Sequence, residues 1–224
     1  MIIPGTAHKP YYSPDGKRVP SVTTILDIVN KPYLVKWANN LGLQGINIAD
    51  NKEHITGIGT LLHAMIEGVL NNDTVDDSKF SPEQKEIAGQ CFGKFAVWHS
   101  EHDIVPVKTE ASMSSYQYGG TMDAILYVDG KPTIMDWKTS KQVDPEYFAQ
   151  LAAYNNLLIS NFALGTDVGF DIPLIEQVAV LDVPKEGPDW EYVVIPVRSE
   201  KFTDAWNYFE QARKLYDAKK RLKL

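Results

Sequence analysis

Cysteine is nearly absent from this sequence, since Cys91 is the only one among 224 residues. A single thiol cannot form a disulfide within the chain, and it cannot supply the several thiolates of a cysteine-ligated zinc site or an iron–sulfur cluster. Composition therefore excludes both kinds of site. We expect Cys91 to be a small hydrophobic residue of the core.

Long apolar runs are also missing, and no window approaches the roughly 18 apolar residues of a membrane span. The N-terminus, "MIIPGTAHKPYY", lacks the basic segment and apolar stretch of a secretion signal. We therefore expect a soluble, cytoplasmic protein that does not bind membranes. The G-x-x-x-x-G-K-(S/T) motif of ATP-binding P-loops is absent too, so any helicase motor would have to be another polypeptide.

Positive charges are outnumbered, since 22 Lys and Arg residues stand against 29 Asp and Glu residues and the formal net charge is -7. A broad, sequence-independent affinity for nucleic acid usually needs a basic surface, so the composition argues against it. It does not exclude a nuclease, since acidic residues at a metal site lower the net charge. One basic strip, "RKLYDAKKRLKL" at residues 213–224, is either the solvated end of a helix or a DNA contact.

The residues that are present predict one α/β domain over 1–224, with a central mixed β-sheet flanked by helices. Residues 11–20 resemble a turn between short extended pieces, and Ser21 or Thr23 can cap a first helix. Residues 43–58 are polar and weakly patterned, which predicts a loop. Periodicity predicts helices at 31–42, 59–72, 81–102, 144–162 and 199–223, and strands at 104–114, 116–128, 131–139, 176–184 and 190–197.

Two of these strands flank Asp129-Gly130, a dipeptide typical of two-residue type I′ turns. In such a hairpin Val128 lies opposite Lys131, and every further cross-strand pair sums to the same residue number. Asp123 therefore faces Asp136. Directly opposed side chains have Cβ atoms roughly 4.5–5.5 Å apart, and two like charges so placed destabilise a sheet. A hairpin with a purely structural role would not carry this pair.

Strand alternation puts Lys138 on the face of Asp136. A divalent cation between the carboxylates would turn their repulsion into coordination, and such oxygen ligands suit Mg²⁺ or Mn²⁺. Lys138 would then orient, or help deprotonate, a water held by the metal. The alternative is a surface patch in which Lys138 pairs with one aspartate and the other is solvated. The opposite face is apolar and is expected to build the core with Ala124, Leu126, Val128, Thr133, Met135 and Trp137.

Three outlying segments carry further polar side chains, each a weak signal by itself. His63 lies on a predicted helix, and Glu110 lies on the strand expected to pair with the first strand of the hairpin. Gln150 and Tyr154 are four residues apart on another helix and, with Tyr147, form a polar and aromatic stripe. The plainer interpretations are surface hydrogen bonds, an exposed strand residue and packing at the edge of the core.

Taken together, these motifs resemble the PD-(D/E)XK nuclease superfamily, and within it the RecB-like exonucleases. That pattern is G-x-x-x-H on a helix, an acid-bearing strand, G-x-(I/M)-D, (D/E)-x-K, and a helix with Q-x-x-x-Y. Five motifs in the right order, from residue 59 to residue 154, make a strong signal. The early "VPSVTTIL" also resembles the N-terminal segment of phage and mitochondrial genome-maintenance exonucleases. The matching residues are Gly59 with His63, Glu110, Gly120 with Asp123, Asp136 with Lys138, and Gln150 with Tyr154.

The resemblance implies a restriction-endonuclease-like core and a role for each motif residue. Catalysis is assigned to Asp123, Asp136, Lys138 and Glu110. One or two Mg²⁺ or Mn²⁺ ions would be ligated by His63, Asp123, Asp136, Glu110 and the main-chain carbonyl of Trp137. Contact with the DNA backbone, or support of the metal shell, is assigned to Gln150 and Tyr154. DNA contact is also expected of Tyr147, Thr139, Ser140 and Lys141.

The function implied is a metal-dependent DNA exonuclease acting on single strands or DNA ends in replication, recombination or repair, encoded by a phage or its host. Its partners would be DNA and a replication or recombination protein. Residues 1–58 could form a lid that threads a strand past Tyr11, Tyr12, Tyr33 and Trp37, although these aromatics are more readily assigned to the core. Two alternatives are a structure- or site-specific endonuclease and a non-catalytic DNA-binding or assembly subunit.

Overall fold

A computed structural model describes residues 1–5, 10–187 and 189–222. The α/β class expected from the sequence is confirmed. The described residues contain six helices and seven strands in the order β1 Tyr11–Tyr12, β2 Arg18–Val19, α1 Val22–Leu26, α2 Pro32–Leu43, α3 Ile48–Asn71, α4 Pro82–Glu101, β3 Ile104–Ser114, β4 Gly119–Val128, β5 Lys131–Lys138, α5 Pro145–Ala163, β6 Gln177–Asp182, β7 Glu191–Pro196 and α6 Glu200–Arg221. Most bounds agree with the predicted elements to within about three residues.

The five longer strands form one mixed sheet in the order β3-β4-β5-β6-β7. Every neighbouring pair is antiparallel except β5 and β6, which are parallel and joined through α5. The carboxyl ends of β5 and β6 therefore meet at one edge of the sheet. Residues that follow these two strands are brought together there, which determines where the candidate site lies.

The β4–β5 hairpin has the predicted register. Asp129 and Gly130 have φ values of 50° and 76°, the two positive values that a type I′ turn requires. Val128 pairs with Lys131, and the ladder continues in step to the pair of Ala124 and Met135. The regular ladder ends at that pair. Continuing the same register by one position would set Asp123 against Asp136, and here the Trp137 amide donates to the Asp123 carboxylate.

Both faces of the sheet are covered by helices. On one face, Ala124, Leu126 and Trp137 pack with buried residues of α3 and α4, as predicted for the apolar face of the hairpin. On the other face, Ile125 and Ile134 pack against α1, α5 and α6. The face of the two aspartates is therefore a second core along most of its length, and polar groups occupy only the end of it.

The N-terminal region departs from the predictions in one important respect. Helix α3 begins at Ile48, with the Asn47 side chain accepting a hydrogen bond of 2.8 Å from the Ala49 amide, so the predicted loop at 43–58 is wrong over 48–58. Gln84 of α4 donates to the His54 carbonyl at 3.1 Å and thereby ties this part of α3 to its neighbour. A boundary at residue 58 would cut a continuous helix.

Several side chains assigned to the core are exposed. Tyr12 and Tyr33 are 52% and 57% exposed. None of the residues of α2, all of which are described, is buried. Cys91, in contrast, is fully buried as predicted. Within the described residues, no helix combines the length and the apolar character needed to cross a membrane.

Gly120 allows Tyr154 of α5 to approach the first residues of β4. A Cβ atom at Gly120 would lie 2.5 Å from Cε1 of Tyr154, closer than packed atoms tolerate. Gly120→Ala is therefore expected to lower the free energy of unfolding by about 1–3 kcal/mol, as overpacking does.

The matched control is Gly89→Ala on helix α4, where, apart from the neighbouring residues and the helix's own backbone, no described atom lies within 4 Å of the added methyl group. Removing a helical glycine there should raise stability by about 0.5–1 kcal/mol. Denaturant unfolding of the two variants measures both effects. A Gly120→Ala variant as stable as the parent protein would show that Tyr154 does not depend on the glycine.

Candidate active site

The candidate site lies at the carboxyl end of β5, beside the first half of β4. The main-chain amide of Trp137 donates a hydrogen bond of 3.0 Å to Oδ2 of Asp123, which fixes that carboxylate beside the end of β5. Asp136, the preceding residue on β5, is only 1% exposed. Two carboxylates from adjacent strands are thus confined at one place, as the hairpin register predicts.

Lys138 and Gln150 contact the buried Asp136 carboxylate. The ammonium of Lys138 lies 2.5 Å from Oδ2, and the amide of Gln150 donates to Oδ1 at 3.3 Å. The ammonium also lies 4.9 Å from the ring centroid of Tyr147, an arrangement in which an aromatic face attracts a cation. The alternative of a solvated surface patch does not describe this geometry, because Asp136 is buried and its partners come from both the sheet and α5.

His63 reaches the site from helix α3, which covers the face of the sheet opposite to α5. Its Nε2 lies 2.9 Å from the main-chain oxygen of Trp137, and its Nδ1 lies 3.4 Å from Oδ2 of Asp123. Burial lowers the pKa of His63, but the Asp123 carboxylate raises it by more, so the pKa lies above its ordinary value. The imidazole therefore connects α3 to both the carboxylate and the carbonyl expected to bind metal.

Glu110 occupies an irregular position on the edge strand β3. Its φ of 47° is in the left-handed region, and the flanking pairs Thr109–Ala124 and Ala111–Met122 set it beside Asp123. Much of the residue is exposed at the sheet edge, but the carboxyl group itself is partly buried. This burial, together with the negative charges of Asp123 and Glu67, raises its pKa to about 7. The structure thus brings Glu110 to the site, on the side away from Lys138.

The two opposed aspartates have pKa values shifted in opposite directions. Burial raises the pKa of Asp136 to about 6, against the opposing charge of Lys138 and with a further increase from Asp123. Burial also acts to raise the pKa of Asp123, but the charges of His63 and Lys138 outweigh it and hold the value at about 2. Asp123 is therefore the carboxylate that the protein stabilises in its ionised form, and Asp136 is the one that it destabilises.

Tyr154 supports the site from within the core. It is 4% exposed, its hydroxyl accepts a hydrogen bond of 3.0 Å from Gln150, and burial raises its pKa well above the ordinary value. This placement agrees with the expected support of the metal shell and leaves little surface for contact with DNA. Gln150 links this tyrosine to Asp136.

The residues after β5 differ in their exposure to a ligand. Ser140 donates from its amide and its hydroxyl to the two oxygens of Asp182, both at 2.8 Å, so its polar groups are already engaged. Thr139 accepts hydrogen bonds of 2.7 Å from Lys185 at its hydroxyl and its carbonyl oxygen. Lys141 is 88% exposed. Of these three predicted DNA contacts, Lys141 is the most accessible.

Asp182 and Lys185 are site residues that the sequence interpretation missed. Asp182 is 2% exposed and lies beside Lys138 in the parallel pairing of β5 with β6. Asp182 accepts hydrogen bonds from Ser140 and Lys185 donates to Thr139, so the two residues together hold the segment that follows Lys138. An acid in the otherwise apolar "VAVLDV" was a usable signal, because parallel strands bring their carboxyl ends to the same edge. No comparable signal marks Lys185.

The side chains of the site fit a divalent cation in one specific respect. Oδ2 of Asp136 is buried, and the Lys138 ammonium lies 2.5 Å from it. A carboxylate offers about four acceptor sites, so Asp136 can bind a cation in addition to this contact. The described part of the chain contains no group of three His, Cys, Asp or Glu side chains around one point, and the candidate ligands instead include the Trp137 carbonyl. Asp123, Asp136, His63 and this carbonyl are the groups that would hold an ion.

Comparison with known proteins gives no family assignment. No family model matches the chain, and no curated protein is significantly similar to it. The interpretation of the site therefore depends on its residues and their geometry.

The pKa shifts of the aspartates predict opposite effects of their amide substitutions on the metal-free protein. Because the pKa of Asp123 is lowered on folding, its ionised form contributes stability above about pH 4 that is lost as the pH falls towards 2. Asp123→Asn should therefore cost on the order of 2 kcal/mol at neutral pH. Thermal unfolding in a chelator measures this loss.

Asp136→Asn should leave the metal-free protein at least as stable as the parent at neutral pH. The raised pKa means that the folded state holds the Asp136 proton more tightly, so stability falls as the pH rises from about 4 to about 6. An amide does not titrate, so Asp136→Asn should not show this fall in stability between about pH 4 and about pH 6. Asp171→Asn, at an exposed loop position, serves as the control. A large loss of stability in Asp136→Asn would show that the opposed pair is a structural element.

Proposed function

We propose that this protein is a divalent-cation-dependent deoxyribonuclease that hydrolyses phosphodiester bonds, acting as an exonuclease on single-stranded DNA or DNA ends. The observation that supports it most is the grouping of Asp123, Asp136 and Lys138 at the carboxyl end of β5. His63 and Gln150 reach this group from opposite faces of the sheet. This is the constellation that the resemblance to PD-(D/E)XK nucleases requires. A role in replication, recombination or repair is part of the same proposal.

The protein's own groups divide the work of hydrolysis. Asp123, Asp136, His63 and the Trp137 carbonyl would hold Mg²⁺ or Mn²⁺, with Glu110 at a second position. The cation supplies positive charge that acidifies water and offsets the charge growing on the phosphate. Lys138, confined between Asp136 and Tyr147, would orient the attacking water and stabilise the pentacovalent phosphorus. Gln150 would hold the Asp136 carboxylate in place through its hydrogen bond.

Asp182 and Lys185 bind the main chain that follows Lys138, the last residue of β5. The amide of Val183 donates to the Lys138 carbonyl at 2.8 Å, while Ser140 is bound to Asp182. The main chain on both sides of the Lys138 side chain is thus fixed by β6 and the turn after it.

The direct test is degradation of linear single-stranded DNA with Mg²⁺ or Mn²⁺ by the protein and its Lys138→Ala and Asp123→Asn variants. Loss of one group that stabilises developing charge should reduce the rate about 100-fold or more. Lys131→Ala, at the opposite end of β5, is the matched lysine control and should retain the full rate. Undiminished activity in Lys138→Ala and Asp123→Asn would remove the site assignment.

A covalently closed single-stranded circle separates the two modes of cutting. An exonuclease requires an end, so the circle should persist under conditions in which the linear strand of the same sequence is degraded. Cleavage of the circle would replace the exonuclease proposal by that of an endonuclease at the same site.

A further inference from the structure

A groove of about 520 Å³ lies between the β1–β2 hairpin, the start of α1 and the last two turns of α6. It is distinct from the carboxylate site and contains none of the residues assigned to metal or to catalysis. The chain segments that build it are far apart in sequence. Its lining includes three kinds of side chain, namely cations, hydroxyls and aromatic rings.

The charge of the groove is opposite to that of the whole protein. Arg18 and Lys220 line it, and no carboxylate is among its described lining residues, although the chain carries a net charge of -7. Neither cation forms an ion pair with another described residue. The last turn of α6 adds Lys219 and Arg221 close to Lys220. This concentration of unpaired positive charge favours an anionic ligand.

The groove also presents a cluster of hydroxyl groups. The Ser21 hydroxyl lies 3.0 Å from that of Thr23 and 2.8 Å from that of Thr24, and both threonines are exposed. Hydroxyls so arranged can donate to phosphate oxygens beside the two cations. Together these groups suit a sugar–phosphate backbone better than an isolated carboxylate.

Two tyrosine rings complete the groove. Tyr11 and Tyr216 line it, and both are only partly buried. Exposed rings next to cations are the combination with which proteins hold single strands, because bases stack on the rings while phosphates meet the charges. A duplex offers no free base faces along its length, so the rings favour a single strand.

Tyr11 connects the groove to the carboxylate site. Its hydroxyl forms a hydrogen bond of 2.8 Å with the hydroxyl of Thr121 on β4. Thr121 is two residues before Asp123 and therefore lies on the same face of the strand, about 7 Å away along it. The Tyr11 side chain packs directly over Gly119, where an added Cβ would lie only 2.4 Å from it. A nucleic-acid strand that runs from Asp123 along the first residues of β4 would therefore reach the groove.

We propose that this groove binds the backbone and unstacked bases of a single-stranded nucleic acid whose adjoining segment lies at the carboxylate site. Arg18 and Lys220 contact phosphates, the three hydroxyls support them, and Tyr216 stacks on a base. The inference rests on the proposed nuclease function, since both sites take the same strand. It narrows the proposed substrate from single strands or DNA ends to single strands, and it assigns that preference to residues outside the metal site.

Fluorescence anisotropy of a labelled oligothymidylate, with chelator present, tests binding apart from hydrolysis. Arg18→Gln and Lys220→Gln should each weaken binding about threefold to tenfold at about 50 mM salt, and each should reduce the slope of log Kd against log salt by about 0.7. Lys201→Gln, an exposed position in the first turn of α6, is the matched control and should bind like the parent protein. Unchanged affinity and slope in the double variant Arg18→Gln/Lys220→Gln would overturn the proposal.

Tyr216→Leu separates stacking from charge. It keeps an apolar side chain but removes the ring, so it should weaken single-strand binding about fivefold or more with no change in salt slope. Duplex of the same sequence should bind more weakly than the single strand and should be insensitive to this substitution. An equal loss for duplex, or displacement of the strand by polyglutamate of equal charge, would show that the groove recognises charge alone and would contradict the proposal.

The outcome is independent of the hydrolysis assay. If the protein degrades DNA but the groove variants bind like the parent, the nuclease proposal stands and the groove inference fails. If the variants lose binding but the parent protein hydrolyses no DNA with Mg²⁺ or Mn²⁺, the groove is a nucleic-acid site and the nuclease proposal fails.

Discussion

Asp136 is held beside Asp123 with only 1% of its surface exposed, and this confinement of two like charges governs the groups around them. Antiparallel pairing fixes the approach, because shifting one strand by one residue would exchange the side chains that it presents to the two cores. The sheet therefore cannot relieve the repulsion by slipping. Relief has to come from cations, either a side chain or a bound ion.

The site divides this compensation unequally. Asp123 receives His63, the Trp137 amide and the nearby charge of Lys138, and its pKa is lowered to about 2. Asp136 has Lys138 and Gln150 but is buried more deeply, and its pKa is raised to about 6. One carboxylate is thus already charged and stabilised, while the other gains most from a cation. That asymmetry is the physical link between the fold and the proposed metal-dependent chemistry.

The hairpin could be predicted because its signal is local. Asp129-Gly130 specifies the turn, the turn specifies the register, and the register places Asp123, Asp136 and Lys138 without knowledge of the rest of the chain. His63, Glu110, Gln150 and Tyr154 were found through their order along the chain in a family pattern. The structure brings all of them to this region and shows why Gly120 belongs to that pattern, since Tyr154 packs against it.

What could not be predicted depends on tertiary contacts. The first turns of α3 have weak periodicity and are held in part by Gln84 of another helix, so residues 48–58 looked like a loop. Lys185 becomes relevant only because the parallel pairing of β5 with β6 brings it to Thr139. The basic strip at the end of the chain was ambiguous for the same reason. Only the fold shows that Lys220 shares a groove with Arg18, which lies near the other end of the chain.

The most direct test of the account is calorimetric titration of the metal-free protein with Mn²⁺, in buffers that reveal proton release. If the opposed aspartates hold the ion, binding should release protons near about pH 6, where Asp136 is partly protonated, and should strengthen as the pH rises. Asp136→Asn should weaken the affinity at least about tenfold and reduce the proton release, while Asp171→Asn should change neither. Mn²⁺ affinity that is the same in Asp136→Asn as in the parent protein would contradict the central claim that the opposed aspartates form a cation site.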